Sequence, residues 1–210
     1  MQKNKNKYIF VTGIGTGVGK TVVSAILTEA LKADYWKPIQ CGDLEYTDTN
    51  KVRDLISNDL SILHPETYRL KTPASPHYAA IQEGIQINAE DFKIPQTDNA
   101  LIIEGAGGLM VPLNDHFLMI DLIKQLQAEV VLVSQNYLGS INHTLLSLEV
   151  LKRNNIHVKG IVFNGEPNSS TEKFIQNYST VPCVLRVLQE EFVNKDTILK
   201  YKNKLDKSLF

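Results

Sequence analysis

Cysteine is nearly absent from this sequence: 210 residues carry two, Cys41 and Cys183. Two thiols build no disulfide framework, and neither has the neighbouring histidines or cysteines of a metal site. Long hydrophobic runs are missing too, and none approaches the roughly 20 residues of a membrane span. An excess of one charge is also lacking. The formal net charge of −1 gives no reason to expect a nucleic acid or an anionic membrane as partner. The start, MQKNKNK, is basic, but YIFVTG turns glycine-rich before an apolar leader core can form. A secretory signal is therefore not expected, and a reducing cytoplasm is. What remains, 43% apolar and 21% charged residues, suits one soluble α/β domain over residues 1–210 with a full core.

Five apolar runs recur along the chain: YIFVT (8–12), ALIIE (100–104), EVVLVS (129–134), KGIVFN (159–164) and PCVLRV (182–187), with a weaker YWKP at 35–38. They are continuous rather than alternating, as expected of strands covered on both faces. Helical spacing appears between them. Val23, Ile26, Leu27 and Leu31 form one stripe, and Ile141, Leu145, Leu148 and Leu151 form another, with Ser140 a candidate N-cap. Strand then helix, repeated, means right-handed crossovers and a mostly parallel sheet with helices on both faces. Residues 41–99 are less regular, and so long an excursion is more often functional than idle. The C-terminal NKDTILKYKNKLDKSLF reads as a polar surface helix with frayed ends.

The stretch VTGIGTGVGKTVV (11–23) follows the first strand and opens the first helix. A phosphate loop needs backbone N–H groups that converge on an anion, which small residues permit, and a helix start that adds about half a positive charge. Gly13, Gly15, Gly17 and Gly19 fill the turn; Lys20 would reach the β- and γ-phosphates, and the Thr21 hydroxyl would ligate Mg²⁺. The strict G-x-x-x-x-G-K-[ST] pattern requires a glycine where this chain has Ile14, so the loop is a variant of the P-loop NTPase type. Glu104 ends a strongly apolar strand, where an unpaired carboxylate is costly to bury unless a metal or a lysine relieves it.

Further segments accompany the loop: WKPIQCG (36–42), PASPHYAAIQEG (73–84), LIIEGAGGLMVPL (101–113), YLGSINHTLLS (137–147) and IVFNGEP (161–167). In this order and at these separations they resemble the dethiobiotin synthase family, over residues 8 to about 167. The resemblance implies an ATP-dependent ligase of biotin biosynthesis that takes 7,8-diaminononanoate, CO₂ and MgATP to dethiobiotin, ADP and phosphate. It implies nucleotide contacts from Gly17, Val18, Gly19, Lys20, Thr21, Val22, Gly105, Ala106, Gly107, Asn164 and Gly165, with Asn164 reading the purine edge. Lys20 and Lys37 become the catalytic cations, and Thr21, Asp48 and Glu104 the Mg²⁺ ligands. TDTNKVRD offers both Asp48 and Asp54, and it is the family pattern that favours Asp48. Cys41 falls where many relatives carry a small hydroxyl residue against the substrate. Leu138, Gly139, Ser140 and Asn142 would hold the far carboxylate of the substrate from the partner subunit of a homodimer.

Two other classes compete. A partition-type or iron–sulfur-carrier ATPase uses a loop K-G-G-x-G-K-[ST], with a lysine where this chain has Gly15. A GTPase would read guanine through N-K-x-D, and NKLD occurs at 203–206. No apolar strand precedes that match, and it reads as chance in a lysine-rich helix. His77 and His143 have no second ligand at metal spacing and read as structural.

Overall fold

The computed structural model describes residues 7–210; the basic segment 1–6, weighed above as a leader, lies outside the described residues. In chain order the elements are β1 (Tyr8–Gly13), α1 (Lys20–Leu31), β2 (Asp34–Trp36), β3 (Ile39–Cys41), α2 (Asp48–Leu55), β4 (Leu63–His64), β5 (Tyr68–Leu70), α3 (Pro76–Glu83), β6 (Leu101–Glu104), α4 (Met119–Gln125), β7 (Glu129–Gln135), α5 (Ser140–Arg153), β8 (Val158–Asn164), α6 (Ser169–Ser179), β9 (Cys183–Val187) and α7 (Lys195–Lys202). Seven strands form one sheet in the order β4-β2-β6-β1-β7-β8-β9, and every pairing in it is parallel. Each apolar run read from the sequence is one of these strands. The short β3, β4 and β5 lie in or border the irregular stretch; β3 and β5 pair with each other as a separate parallel ribbon.

Side chains alternate across the sheet, and both faces are covered. Val11, Tyr35 and Ile102 pack under α1, α2 and α7, through Val23, Ile26, Leu27, Val52, Ile198 and Tyr201. Phe10, Trp36, Leu101 and Ile103 face the other way, against Ala79 and Ala80 of α3 and Ile120, Leu122 and Ile123 of α4. Leu132, Ile161 and Phe163 complete that side beneath Leu148 of α5 and Ile175 of α6. No helix among the described residues is long and apolar enough to cross a membrane.

Two local expectations differ from the structure. Ser140 does not cap α5. Gly139 takes the cap with φ at 102°, a left-handed conformation that glycine adopts without steric cost, and Ser140 becomes the first helical residue, buried. The C-terminal helix is not a frayed surface element either. Asn194 and Thr197 form a capping box at its start, and Ile198 and Tyr201 are fully buried against the α1 side of the sheet. Its polar composition hides a two-residue apolar stripe. The NKLD match follows this helix at the amino end of β9, where the Asp206 amide bonds the Val184 carbonyl. It sits at the end of the sheet opposite the glycine loop.

Glu29 locks α7 to α1. Its carboxylate is buried and accepts from the Ser57 amide (2.8 Å), the Asn58 amide (2.9 Å), Asn58 Nδ2 (2.9 Å) and Lys202 Nζ (2.9 Å). Burial pushes this carboxyl up, but the hydrogen bonds from Asn58, Lys202 and Ser57 outweigh it and hold its pKa down at about 2. A folded value below the ordinary 4.5 means that the stabilisation is complete above pH 4.5 and is lost as the pH falls towards about 2. Glu29→Gln is expected to cost about 1–3 kcal/mol at neutral pH. Urea unfolding at a series of pH values will show it, with a flatter acid limb for the variant than for the wild type.

Candidate active site

The sheet order brings the carboxyl ends of β2, β6 and β1 side by side. Val11 pairs with Glu104 across β1 and β6, and Trp36 with Ile103 across β2 and β6. The residues that follow these ends therefore meet: the glycine loop after β1, Lys37 after β2, and Glu104 itself. The glycine loop is held in shape from two sides. Gly19 caps α1 with φ at 93°, and a Cβ there would stand 2.3 Å from Asn164 Nδ2. Asn164 in turn donates from Nδ2 to the Val18 carbonyl at 2.9 Å. Lys20 curls back over the loop, with Nζ 2.9 Å from the Gly15 carbonyl.

Glu104 is the centre of the polar network, with 1% of its surface exposed. Its Oε1 accepts from the Thr21 hydroxyl at 2.9 Å and from Lys37 Nζ at 3.1 Å, and its Oε2 from the Tyr35 hydroxyl at 2.9 Å. Lys37 bridges onward to Asp48 Oδ2 at 2.8 Å, and Lys51 reaches Asp48 Oδ1 at 3.1 Å. Asp48 arrives there because Thr47 and Asn50 cap α2 reciprocally and place it on the first turn. Gln40 fastens that turn to β3, accepting from the Asp48 amide at 3.2 Å while its Nε2 donates to the Gly42 carbonyl at 3.0 Å. Asp54, the alternative in the sequence, instead accepts from the Tyr46 hydroxyl on the exposed side of α2.

The charges explain one another. Burial by itself lowers the Lys37 pKa, but Glu104 and Asp48 outweigh it and the net shift is upward. Burial raises Asp48, yet the Lys37 ammonium together with Lys51 outweighs it and its pKa falls below the ordinary value. Lys20 differs: burial, opposed by Glu104 and reinforced by Lys37, brings it down to about 8. Burial also raises the Tyr35 phenol well above its ordinary value, with Glu104 adding to the rise, so it stays a hydrogen-bond donor.

A cleft of about 780 Å³ opens over this network, lined by Gly17, Gly19, Lys20, Thr21, Val22, Lys37, Cys41, Asp48, Lys51, Pro73, Ser75, Pro76, Glu104, Gly105, Ala106 and Gly107 among others. Cys41 lies on its wall with its thiol pushed up to about 11 by burial. Most residues singled out from the sequence thus share one cavity. The exceptions are Gly13 and Gly15 at the back of the loop, Val18, turned into the core, Asn164 and Gly165 at the end of β8, and the turn at Leu138, Gly139, Ser140 and Asn142. In that turn Leu138 and Asn142 project from the start of α5 into solvent, outside the lining of this chain's cleft. Tyr35 and Gln40 went unnoticed in the sequence. Each looks like an ordinary strand residue, and no spacing rule links them to acids 69 and eight positions away.

Among the described residues no three His, Cys, Asp or Glu side chains converge as a metal site. Two carboxylates and a hydroxyl, all hard oxygen donors beside a phosphate loop, nonetheless fit Mg²⁺. That ion takes one or two carboxylates and completes its shell with water and substrate phosphates. The Thr21 hydroxyl spends its hydrogen on Glu104, which leaves its lone pairs for a cation.

A parallel sheet with a glycine loop at the carboxyl end of its central strand defines a P-loop nucleotide-binding protein. Consistent with this, residues 7–197 match the AAA domain family AAA_26. The chain belongs to the ATP-dependent dethiobiotin synthetase family: it is 54% identical to the synthetase BioD of Cytophaga hutchinsonii over 95% of its own length and 97% of that protein's. It is 50% identical to the BioD of Christiangramia forsetii, over 97% and 98%. Among solved structures, the septum site-determining protein MinD of Pyrococcus horikoshii in complex with Mg-ADP superposes with a TM-score of 0.62 at 16% identity, covering 95% of this chain and 96% of that one. A ParA family ATPase from Chlorobium tepidum gives 0.57 at 16% identity, over 94% and 91%. Those two likenesses concern the fold alone.

Gly19→Ala forces a side chain into a left-handed backbone and onto Asn164. It is expected to destabilise the protein by about 1–3 kcal/mol. Gly15→Ala, where a Cβ meets nothing within 4 Å, serves as the control and should melt like the wild type. Equal melting temperatures for the two variants would show that the loop tolerates the clash.

Proposed function

We infer that this chain is an ATP-dependent dethiobiotin synthetase in biotin biosynthesis and, more finely, that residues 1–210 act as one ligase domain on 7,8-diaminononanoate, CO₂ and MgATP. The observation that carries the reading is the single buried network in which Thr21, Lys37, Asp48 and Glu104 meet beside Lys20 and the glycine loop. In this reading one amine of the substrate captures CO₂ as a carbamate. A carbamate oxygen attacks the γ-phosphorus and ADP leaves, giving a carbamic–phosphoric anhydride. The neighbouring amine then attacks the carbonyl carbon, phosphate departs with the oxygen, the amine loses its proton, and the five-membered ureido ring closes.

Most of this chemistry is placement and charge neutralisation, and orientation alone is worth about 7–11 kcal/mol. Lys20, on the loop, grips the β- and γ-phosphates. Lys37 stands at the next strand end and approaches the γ-phosphate and the carbamate from the substrate side. Thr21, Asp48 and Glu104 would hold Mg²⁺, which when bound neutralises phosphate charge. The loop and GAGG amides, with Asn164 and Gly165 at the rim, serve the nucleotide, and Asn164 Oδ1 remains to face the purine edge while Nδ2 holds the loop. Cys41 lies against the diamine chain. The turn Leu138–Asn142, away from this chain's cleft and exposed at Leu138 and Asn142, suits the far carboxylate of substrate bound to a partner subunit, with N–H groups of the first turn of α5 as donors.

The first test is phosphate release and dethiobiotin formation with and without the diamine. Release that ignores the diamine would point instead to a switch ATPase. Lys37→Gln is expected to leave MgATP affinity nearly unchanged and to lower single-turnover product formation by about 10²–10³. Lys20→Gln should damage both. A Lys37→Gln protein that binds ATP far more weakly yet reacts normally at saturation reverses the assignment. For the shared site, Asn142→Ala and Lys20→Ala are each expected to be nearly inactive, and a verified heterodimer of the two to regain one working site. No recovery would place each site within one subunit.

A further inference from the structure

Tyr35 lies two residues before Lys37, is fully buried, and donates its hydroxyl to Glu104 Oε2 at 2.9 Å. The register explains the reach. Tyr35 pairs with Ile102 on β6, and Glu104 stands two residues further along the same face, about 6.6 Å up the strand. A tyrosine side chain lying along the sheet spans that distance and ends in a donor; a phenylalanine would span it and end in carbon. The two oxygens of Glu104 are thereby divided. Oε1 carries Thr21 and Lys37 on the cleft side, and Oε2 carries Tyr35 on the core side. Without the phenol, the carboxylate would be held from one side only, by partners that a bound nucleotide and cation must themselves engage.

We propose that Tyr35 is a positioning residue for the cation site: its phenol fixes the orientation of Glu104 so that Oε1 stays aimed at Thr21 and the phosphate loop. The proposal rests on the reading of Glu104 as a metal ligand. Outer partners of ligating groups commonly govern affinity by about 10–100-fold. The ring of Tyr35 fills the core between β2 and α1, so Tyr35→Phe keeps the packing and removes one hydroxyl.

The experiment is Mn²⁺ binding in the presence of ADP, followed by electron paramagnetic resonance, for wild type, Tyr35→Phe, Glu104→Gln and the double variant. Metal-free ADP affinity in EDTA and the melting temperature serve as checks on the fold. Tyr35→Phe is expected to weaken Mn²⁺ binding about 10-fold and to raise the Mg²⁺ concentration for half-maximal turnover in parallel, with metal-free ADP affinity unchanged. In the Glu104→Gln background the same change should add nothing, because the group it positions has lost its charge. A purely structural tyrosine would give additive losses and overturn the proposal. So would Tyr35→Phe with wild-type Mn²⁺ affinity while Glu104→Gln is impaired. If Glu104→Gln itself binds Mn²⁺ like wild type, the metal-ligand reading falls, and the role of Tyr35 with it. Should Tyr35→Phe fail to fold, Tyr35→Met, which is unbranched, adapts to the buried space and carries no donor, gives the same readout, and undiminished Mn²⁺ binding there counts against the proposal.

Discussion

The Glu104 carboxylate is the constraint around which the functional end of the molecule is built. An ionised carboxylate with 1% of its surface exposed is tolerated only when paired and hydrogen-bonded. Here the partners come from the second strand and its end and from the helix after the loop: Tyr35, Lys37 and Thr21. Satisfying one buried charge thus aligns the phosphate loop, the second strand and the acid of the sixth in one arrangement. Removing a partner leaves a buried carboxylate oxygen short of a hydrogen bond.

Sheet order makes that meeting possible. β6 enters between β2 and β1, although some sixty residues separate it from β2 in the chain. The intervening excursion is not idle length. It carries α2 over the cleft, and with it Asp48, which splits the Lys37 ammonium between two carboxylates. Ligands of open parallel sheets gather outside the carboxyl ends of the strands, and this excursion forms the wall on that side. A cation entering between Asp48 and Glu104 meets Lys37 already there. The charge balance of the cleft therefore couples the lysine to whatever binds.

Stability of the loop helix comes from behind. α1 is pressed between the sheet and α7, and Glu29 ties the two helices through Lys202 while also holding the chain that leaves α2. The C-terminal helix thus braces from behind the element that begins with Lys20.

From the sequence alone came six of the nine strands, because continuous apolar runs of this length have few other uses, and the glycine loop, because its residues are adjacent in the chain; the two- and three-residue β3, β4 and β5 are too short to show such a run. Glu104 also stood out, at the close of an apolar run, whereas it was the family pattern that singled out Lys37, before a proline at a strand end. Adjacency carries that information. Asp48 against Asp54 was left open by the residues themselves, since both lie on one short helix and only its capping and docking decide which faces the cleft. The same holds for Ser140, displaced from the cap by a glycine, and for α7, whose apolar stripe is too short to show a period. Tyr35 and Gln40 belong to tertiary structure entirely. Their roles depend on strand register and on a fold-back of the chain, and both arise from pairings between distant segments that no local pattern encodes.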